Sequence, residues 1–208
     1  MIELLTADTP NGKKISIMLE EIKFNYKVTK INILKDEQFK TEFKKLSPFS
    51  KIPVIIDHDT NKSLFESGAI LIYLGEKSGK FYDKGQRTNI NQWLMGQMAY
   101  VGPMLGQHHQ FHHYNPGKSE FGEKRYFKIS ERIYKELDER LLKSKFLAGE
   151  DYTIADIATF PWIARHEWHD IGLKKFKGLK RWYEEISKRE AVQRGYDLLN
   201  KGEKIPKA

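Results

Sequence analysis

Cysteine is absent from all 208 residues. Without it the chain has no disulfide, no thiolate metal ligand and no protein-borne sulfur nucleophile, so any thiol chemistry must use the thiol of a bound small molecule. Long apolar runs are absent too, and none approaches the roughly 18 residues of a membrane span. The opening stretch MIELLTADTPNG has neither a basic n-region nor a long apolar h-region, which predicts a cytoplasmic protein with no membrane partner. Neither internal repeats nor low-complexity segments occur. Charge of one sign does not dominate locally. The balance is 36 basic against 28 acidic residues, a net +8, but acids interleave with the bases in EFGEKR, KELDER and RWYEEISKRE. That pattern predicts a solvated face with mild anion steering and no nucleic-acid partner. What is present, 39% hydrophobic and 31% charged residues, describes a globular chain long enough for one large or two small domains.

The first 78 residues mix strand and helix signals. Ile2–Thr6 reads as a strand, and Pro10–Gly12 as a turn. Ile15, Met18, Leu19 and Ile22 then fall at helical spacing. Tyr26–Ile33 alternates toward β, and Glu37–Leu46 reads as one short helix. Ile52–Asp57 and Ser63–Phe65 pair as a hairpin around Asp57–Lys62. A helix from Ser67 to about Lys77 closes a β-α-β-α-β-β-α order. Residues 79–88, GKFYDKGQRT, carry glycines and charges without periodicity and read as a linker. Everything from 89 to 208 reads helical: an amphipathic Asn91–Tyr100, and a long helix with a stripe of Tyr126, Ile129, Ile133, Leu137 and Leu141. A helix opened by a Thr153–Asp156 capping box follows, with Pro161 inside it to kink it or shift its register, and a last helix is marked by Trp182, Tyr183 and Ile186.

Three stretches invite chemistry. Glu66 is a carboxylate beside Ser67, a favoured N-cap residue, ahead of a helix with an apolar face. Helix-start N–H groups attract an anion while Glu66 can hold a cation, which suits an α-amino group next to an α-carboxylate, the head of γ-glutamyl peptides such as glutathione. Pro53, preceded by Lys51 and Ile52, opens a strand; it is either an ordinary edge-strand proline or a cis-proline, and the residues alone do not choose. His108, His109, His112 and His113 make two i, i+4 pairs, a spacing that can bind metal. No acidic or thiol ligand lies near them, so they are read as a polar, aromatic helix wall and no metal is expected.

In their order and spacing, Ser47-Pro48, Lys51-Ile52-Pro53-Val54 and Phe65-Glu66-Ser67-Gly68-Ala69-Ile70 resemble the glutathione-binding signature of the glutathione transferases. The helical half, with its helix opening at Tyr152–Asp156, resembles their C-terminal domain. Thr9-Pro10-Asn11-Gly12, the run Gly102–Gln107 and Arg125-Tyr126 are similar to the nu class of disulfide-bond oxidoreductases. The resemblance covers essentially the whole chain. It implies an α/β thioredoxin-like domain at 1–78 followed by an all-α domain at 89–208, an active site in the cleft between them, and a homodimer. It implies that Ile52, before a cis Pro53, pairs its backbone with the cysteinyl unit of glutathione. Glu66 and Ser67 hold the γ-glutamyl head, and Gln38 and Lys51 meet the glycine carboxylate. The loop after the first strand has no Tyr or Cys; the class pattern implies that Thr9 and Asn11 donate to sulfur instead. A free thiol with pKa about 8.5 is about 3% ionised at pH 7, and lowering it by about 2 units ionises roughly three quarters, for about 2.7 kcal/mol. A few hydrogen bonds to a charged acceptor can supply that. Gln107, His108 and Arg125 are candidates for lining a second-substrate pocket, Arg125 reading equally as a surface ion-pair residue.

The expected function is glutathione-dependent disulfide reduction, with glutathione, reduced or as its disulfide, as co-substrate. Conjugation of glutathione to electrophiles and a binding or regulatory role on the same fold are the alternatives.

Overall fold

The first unit is built on a four-stranded sheet. In the computed structural model, which describes residues 1–208, β1 (Ile2–Thr6), β2 (Tyr26–Lys30), β3 (Val54–Asp57) and β4 (Lys62–Phe65) align in the order β2-β1-β3-β4. β1 and β2 run parallel, and the other pairs are antiparallel. Between β1 and β2 lies α1 (Pro10–Ile22). After β2 come two 3-10 turns (Ile33–Lys35 and Glu37–Phe39) and α2 (Thr41–Leu46); α3 (Ser67–Ser78) follows β4. The single helix expected at Glu37–Leu46 is broken at Lys40, whose extended backbone (ψ 142°) separates the 3-10 turn from α2. The second strand stops at Lys30, short of the expected Ile33, because β1 has no residue left to pair beyond Thr6.

The core of this unit is Leu4, Ile15, Met18, Leu19, Val54, Ile55, Ile70, Leu71 and Leu74, all without solvent exposure. Burying each such side chain contributes about 1.5–3 kcal/mol. Asp57 at the end of β3 is buried and held by Tyr73 (2.5 Å) and by Lys77, both on α3. These partners hold its carboxyl below the usual range despite burial.

One element escaped the sequence reading. A helix at the far end of the chain, Glu190–Tyr196, packs on α1, so the unit comprises Met1–Tyr82 and Arg189–Lys204. Gly195 permits the approach: a Cβ there would lie 2.6 Å from Ile17 Cα. Lys13, although buried, is paired with Asp8 and Glu203 (2.7 Å each) and donates to the Tyr196 carbonyl (2.5 Å).

The second unit, Asp83–Lys188 with Ile205–Ala208, is helical. A continuous helical run contains α4 (Arg87–Gly96), a π-helical segment (Gln97–Val101), α5 (Gly102–His108) and a second π segment (His109–Tyr114). It is followed by α6 (Glu120–Lys143), α7 (Ile154–Ile163) and α8 (Lys177–Ser187); the terminal helix of the first unit is then α9. Of the expected α6 stripe, Ile133, Leu137 and Leu141 are buried, while Tyr126 and Ile129 are half-buried. Every residue of α7 is buried, so no stripe marks it. Its capping box forms as expected, and α7 ends two residues beyond Pro161. Asp156 accepts from Thr153 N (3.0 Å), Thr153 Oγ1 (3.1 Å), Leu147 N (2.9 Å) and Trp182 Nε1 (2.8 Å). Burial pushes its carboxyl up to about 6.

Candidate glutathione site

Strand register gathers the candidate residues. Leu5 pairs with Val54, and Val54 pairs with Phe65. The loop leaving β1, the residues entering β3 and the start of α3 therefore lie at one end of the sheet. Lys30 pairs with Thr6, so the 3-10 segment carrying Gln38 also leaves from that end.

Thr9 is the N-cap of α1, and its Oγ1 accepts from Gly12 N at 3.1 Å. Capping uses the oxygen's acceptor side and leaves the hydroxyl proton to be donated. Asn11 is half-buried in the first turn, at the positive end of the helix dipole. Gly12 is required: a Cβ there would sit 2.3 Å from the Ala7 carbonyl oxygen.

The Ile52–Pro53 peptide is cis, and Pro53 is buried against the start of β3. Of the two readings open for Pro53, this is the one the structure adopts. Ser47 supports the turn ahead of it: Ser47 Oγ donates to the Lys51 carbonyl (2.8 Å) and accepts from Lys51 N (3.1 Å). The Lys51 side chain is exposed. Gln38 is half-buried on the 3-10 turn, and its Nε2 donates to the Ile33 carbonyl at 3.4 Å.

The N-cap of α3 is Glu66, not Ser67. Glu66 has φ 69°, a conformation costly for a residue with a Cβ and one that clusters at functional sites. Its carboxylate makes no capping bond and is exposed. Ser67 is the first helical residue and is buried. Its Oγ accepts from Nζ of Lys14 on α1 at 3.3 Å. Sequence reading missed Lys14. It is 1% exposed. Burial lowers its pKa to about 7, although Glu66 pulls the other way. The Glu66 carboxylate, the start of α3, the start of α1 and the Ile52–Pro53 turn thus lie at one end of the sheet.

These features decide the matter when set beside known proteins. The glutathione S-transferase N-terminal domain matches residues 3–76, and the glutathione S-transferase C-terminal domain matches residues 101–190. The chain belongs to the glutathione S-transferase family. Disulfide-bond oxidoreductase YfcG of Escherichia coli (strain K12) is 43% identical over 199 residues, covering 92% of this chain and 93% of that protein. The crystal structure of a glutathione transferase from Burkholderia graminis, with two glutathione molecules bound per subunit, superposes with TM-score 0.90 at 37% identity, over 97% of this chain and 89% of that one. A glutathione transferase from Pseudomonas putida, with one glutathione disulfide bound per subunit, gives TM-score 0.87 at 38% identity, over 96% and 92%. The fold is therefore the family's thioredoxin-like N-terminal domain with an all-α C-terminal domain.

In the second unit, Gln107 and Arg125 are exposed, on α5 and α6. His108 is fully buried, packed near His112, Phe127 and His169 at ring distances of 4.9, 5.9 and 5.6 Å. It thus turns inward where its two companions face solvent. The i, i+4 histidine pairs do not converge on a ligand set. Instead His109 Nε2 meets His169 Nε2 (2.8 Å), His169 Nδ1 meets Tyr134 Oη (2.7 Å), and His113 stacks on Trp168 at 4.0 Å. Burial lowers His109 to about 3 and His169 well below the ordinary histidine value, so both are neutral spacers in an aromatic core. A separate cavity of about 400 Å³ also lies in this unit, with Trp93, Tyr100, Arg132 and Glu136 in its wall beside the π segment at 97–101. Its sequence signal is weak, since a π turn leaves no residue signature.

Proposed function

We propose that this protein is a glutathione-dependent disulfide-bond reductase that works with the thiol of its bound ligand. The observation that carries this reading is the convergence, in a chain with no cysteine, of the Thr9–Asn11 donor set, the cis Ile52–Pro53 backbone and the Glu66–Ser67 pair at one sheet end. The kinship with a named disulfide-bond oxidoreductase and with structures holding two glutathiones or a glutathione disulfide supports it.

Glu66 takes the α-ammonium of the γ-glutamyl head, and Ser67 with the α3 N–H groups takes its carboxylate. The Ile52 backbone pairs with the cysteinyl peptide, and Gln38 and Lys51 meet the glycine carboxylate. Thr9 and Asn11 donate to the sulfur and keep it as thiolate. The thiolate attacks one sulfur of a disulfide RSSR and expels RS⁻, which takes a proton; a second glutathione attacks the mixed disulfide. Two glutathiones become one glutathione disulfide, and RSSR becomes two RSH. Glutathione is thus co-substrate, and the exposed Gln107 and Arg125 are the residues of the helical unit offered to a second ligand. A nu-class homodimer in the cytoplasm completes the reading.

The test is a comparison of rates. Purified protein with glutathione reduces hydroxyethyl disulfide much faster than it conjugates chlorodinitrobenzene. The reverse ranking overturns the proposal in favour of a conjugating transferase, and inactivity in both favours a binding or regulatory role.

A further inference from the structure

The ties of α9 follow α1 backwards, from its last turn to its first. Arg189 pairs with Glu21 (2.6 Å) and Arg194 with Glu20 (2.7 Å). Ser16 Oγ donates to the Gly195 carbonyl (2.6 Å), and Lys13 Nζ to the Tyr196 carbonyl (2.5 Å). The tail then continues to the turn ahead of α1. Asn200 Nδ2 donates to Asp8 Oδ2, and Glu203 pairs with Lys13 (2.7 Å). These last ties fall on Asp8 and Lys13, the two residues that flank Thr9-Pro10-Asn11-Gly12.

Lys13 joins turn and tail. An ammonium has three donors and no acceptor. Here the partners are Asp8 Oδ1 (2.7 Å) on the turn side, and Glu203 Oε2 (2.7 Å) and the Tyr196 carbonyl on the tail side. The same ammonium lies 4.0 Å over the centre of the Tyr196 ring. Turn and tail are also closely packed. The cavity lined by Thr6, Ala7 and Asp8 from one and by Leu198 and Leu199 from the other measures about 10 Å³, room for about one water. A donor stabilises a thiolate only at hydrogen-bonding distance and angle, so whatever fixes the turn fixes its donors. We infer that residues 196–203 form a strap that positions the Thr9–Asn11 turn for the glutathione sulfur, with Lys13 as its positioning residue on α1. The inference rests on the reading of Thr9 and Asn11 as donors to sulfur. Lys13, Asn200 and Glu203 touch no reacting atom in this scheme; they act through the turn.

The experiment follows the ultraviolet absorbance of thiolate as glutathione bound to the whole protein is titrated with pH. Wild-type protein holds the bound thiol about 2 units below its free pKa of about 8.5, so about half is thiolate at about pH 6.5. The double variant Asn200→Ala, Glu203→Ala removes the strap's side-chain ties and leaves Thr9, Asn11 and Lys13 in place. Loss of about one donor's share raises the bound thiol by about one unit, and thiolate at that pH falls from about half to about a tenth. Lys13→Met, which sets Asp8 against Glu203 without a cation, raises it at least as far. Arg189→Met, which loosens α9 at the far end of α1, leaves it unmoved. Affinity for S-methylglutathione, which presents no titrating sulfur, is unchanged in the double variant. A wild-type thiol pKa in the double variant overturns the strap and leaves the donor turn standing, whether or not Lys13→Met folds. An equal shift in Arg189→Met, or loss of S-methylglutathione binding in the double variant, overturns it too, because the tail would then support the unit at large. Wild-type protein that fails to bind glutathione, or binds it without lowering its thiol, overturns the Thr9–Asn11 reading, and the strap with it.

Discussion

Replacing Asp156 by Asn tests whether the carboxylate inside the second unit is held by its hydrogen bonds against the cost of burial. Oδ1 serves Leu147 N and Trp182 Nε1, and Oδ2 serves Thr153 N and Thr153 Oγ1. An amide keeps one oxygen and turns NH₂ toward the other pair of donors. The Thr153 hydroxyl can rotate, but its backbone N–H is left facing a donor, which costs about 2 kcal/mol at pH 7.5. Acid adds a second effect with a definite sign. Burial raises the folded pKa from 3.8 to about 6, so the folded protein holds this proton more tightly than the unfolded chain. The stability due to this group is therefore fully present below 3.8 and is lost as pH rises through 6. Integrated between pH 7.5 and 4.5, the difference is about 2 kcal/mol in favour of the wild type at the acid end. Asn does not titrate, so the stability gap between wild type and Asp156→Asn widens from about 2 kcal/mol at pH 7.5 to about 4 kcal/mol at pH 4.5. Urea unfolding followed by tryptophan fluorescence at both pH values measures the gap, and the contributions of all other titrating groups cancel in the difference. A gap that stays constant or narrows on acidification refutes the reasoning, because the carboxyl would then not be raised by burial.

Two further substitutions probe the first unit. Asn11→Ala removes one donor to a charged sulfur, worth about 1.5–3 kcal/mol, and so lowers kcat/KM with glutathione and hydroxyethyl disulfide by roughly tenfold or more; unchanged steady-state kinetics would remove Asn11 from the site. Gly195→Ala drives a methyl into the Ile17 backbone and costs about 1–3 kcal/mol, read as a lowered Tm in a thermal melt; an unaltered Tm would mean that α9 does not bear tightly on α1.

The strands and the long helices were legible because their apolar spacing is local. Leu4 with Ile2, and Ile133, Leu137 and Leu141 on α6, carry their burial in the sequence period. What was not legible depends on distant partners. α9 contains only a half-formed apolar pattern in Glu190–Tyr196; it is held by Gly195 and Lys13, more than 180 positions apart, and no window of sequence spans that. The break at Lys40 and the two π segments reflect backbone hydrogen bonding that side-chain type hardly specifies. At the site, Glu66, Ser67 and Pro53 stood out by their motif, but the φ of Glu66 and the inward hydroxyl of Ser67 did not. Lys14 reads as one of two adjacent surface lysines. A signal was present: Lys14 precedes Met18 by four positions and so shares the apolar face of α1, where a charge is out of place.

The pairing of α9 with α1 bears on how the protein is made. Residues 1–82 leave the ribosome first, yet the flank of α1 holding Lys13 and Ser16 is sealed only by residues 189–204. During synthesis the sheet forms early with one helix unshielded, and the whole helical half must be translated before that surface is covered. A premature stop anywhere in the second half thus injures the N-terminal half as well, exposing a buried lysine's partners and an apolar seam to quality control. Residues 189–204 act as the latch of the first domain.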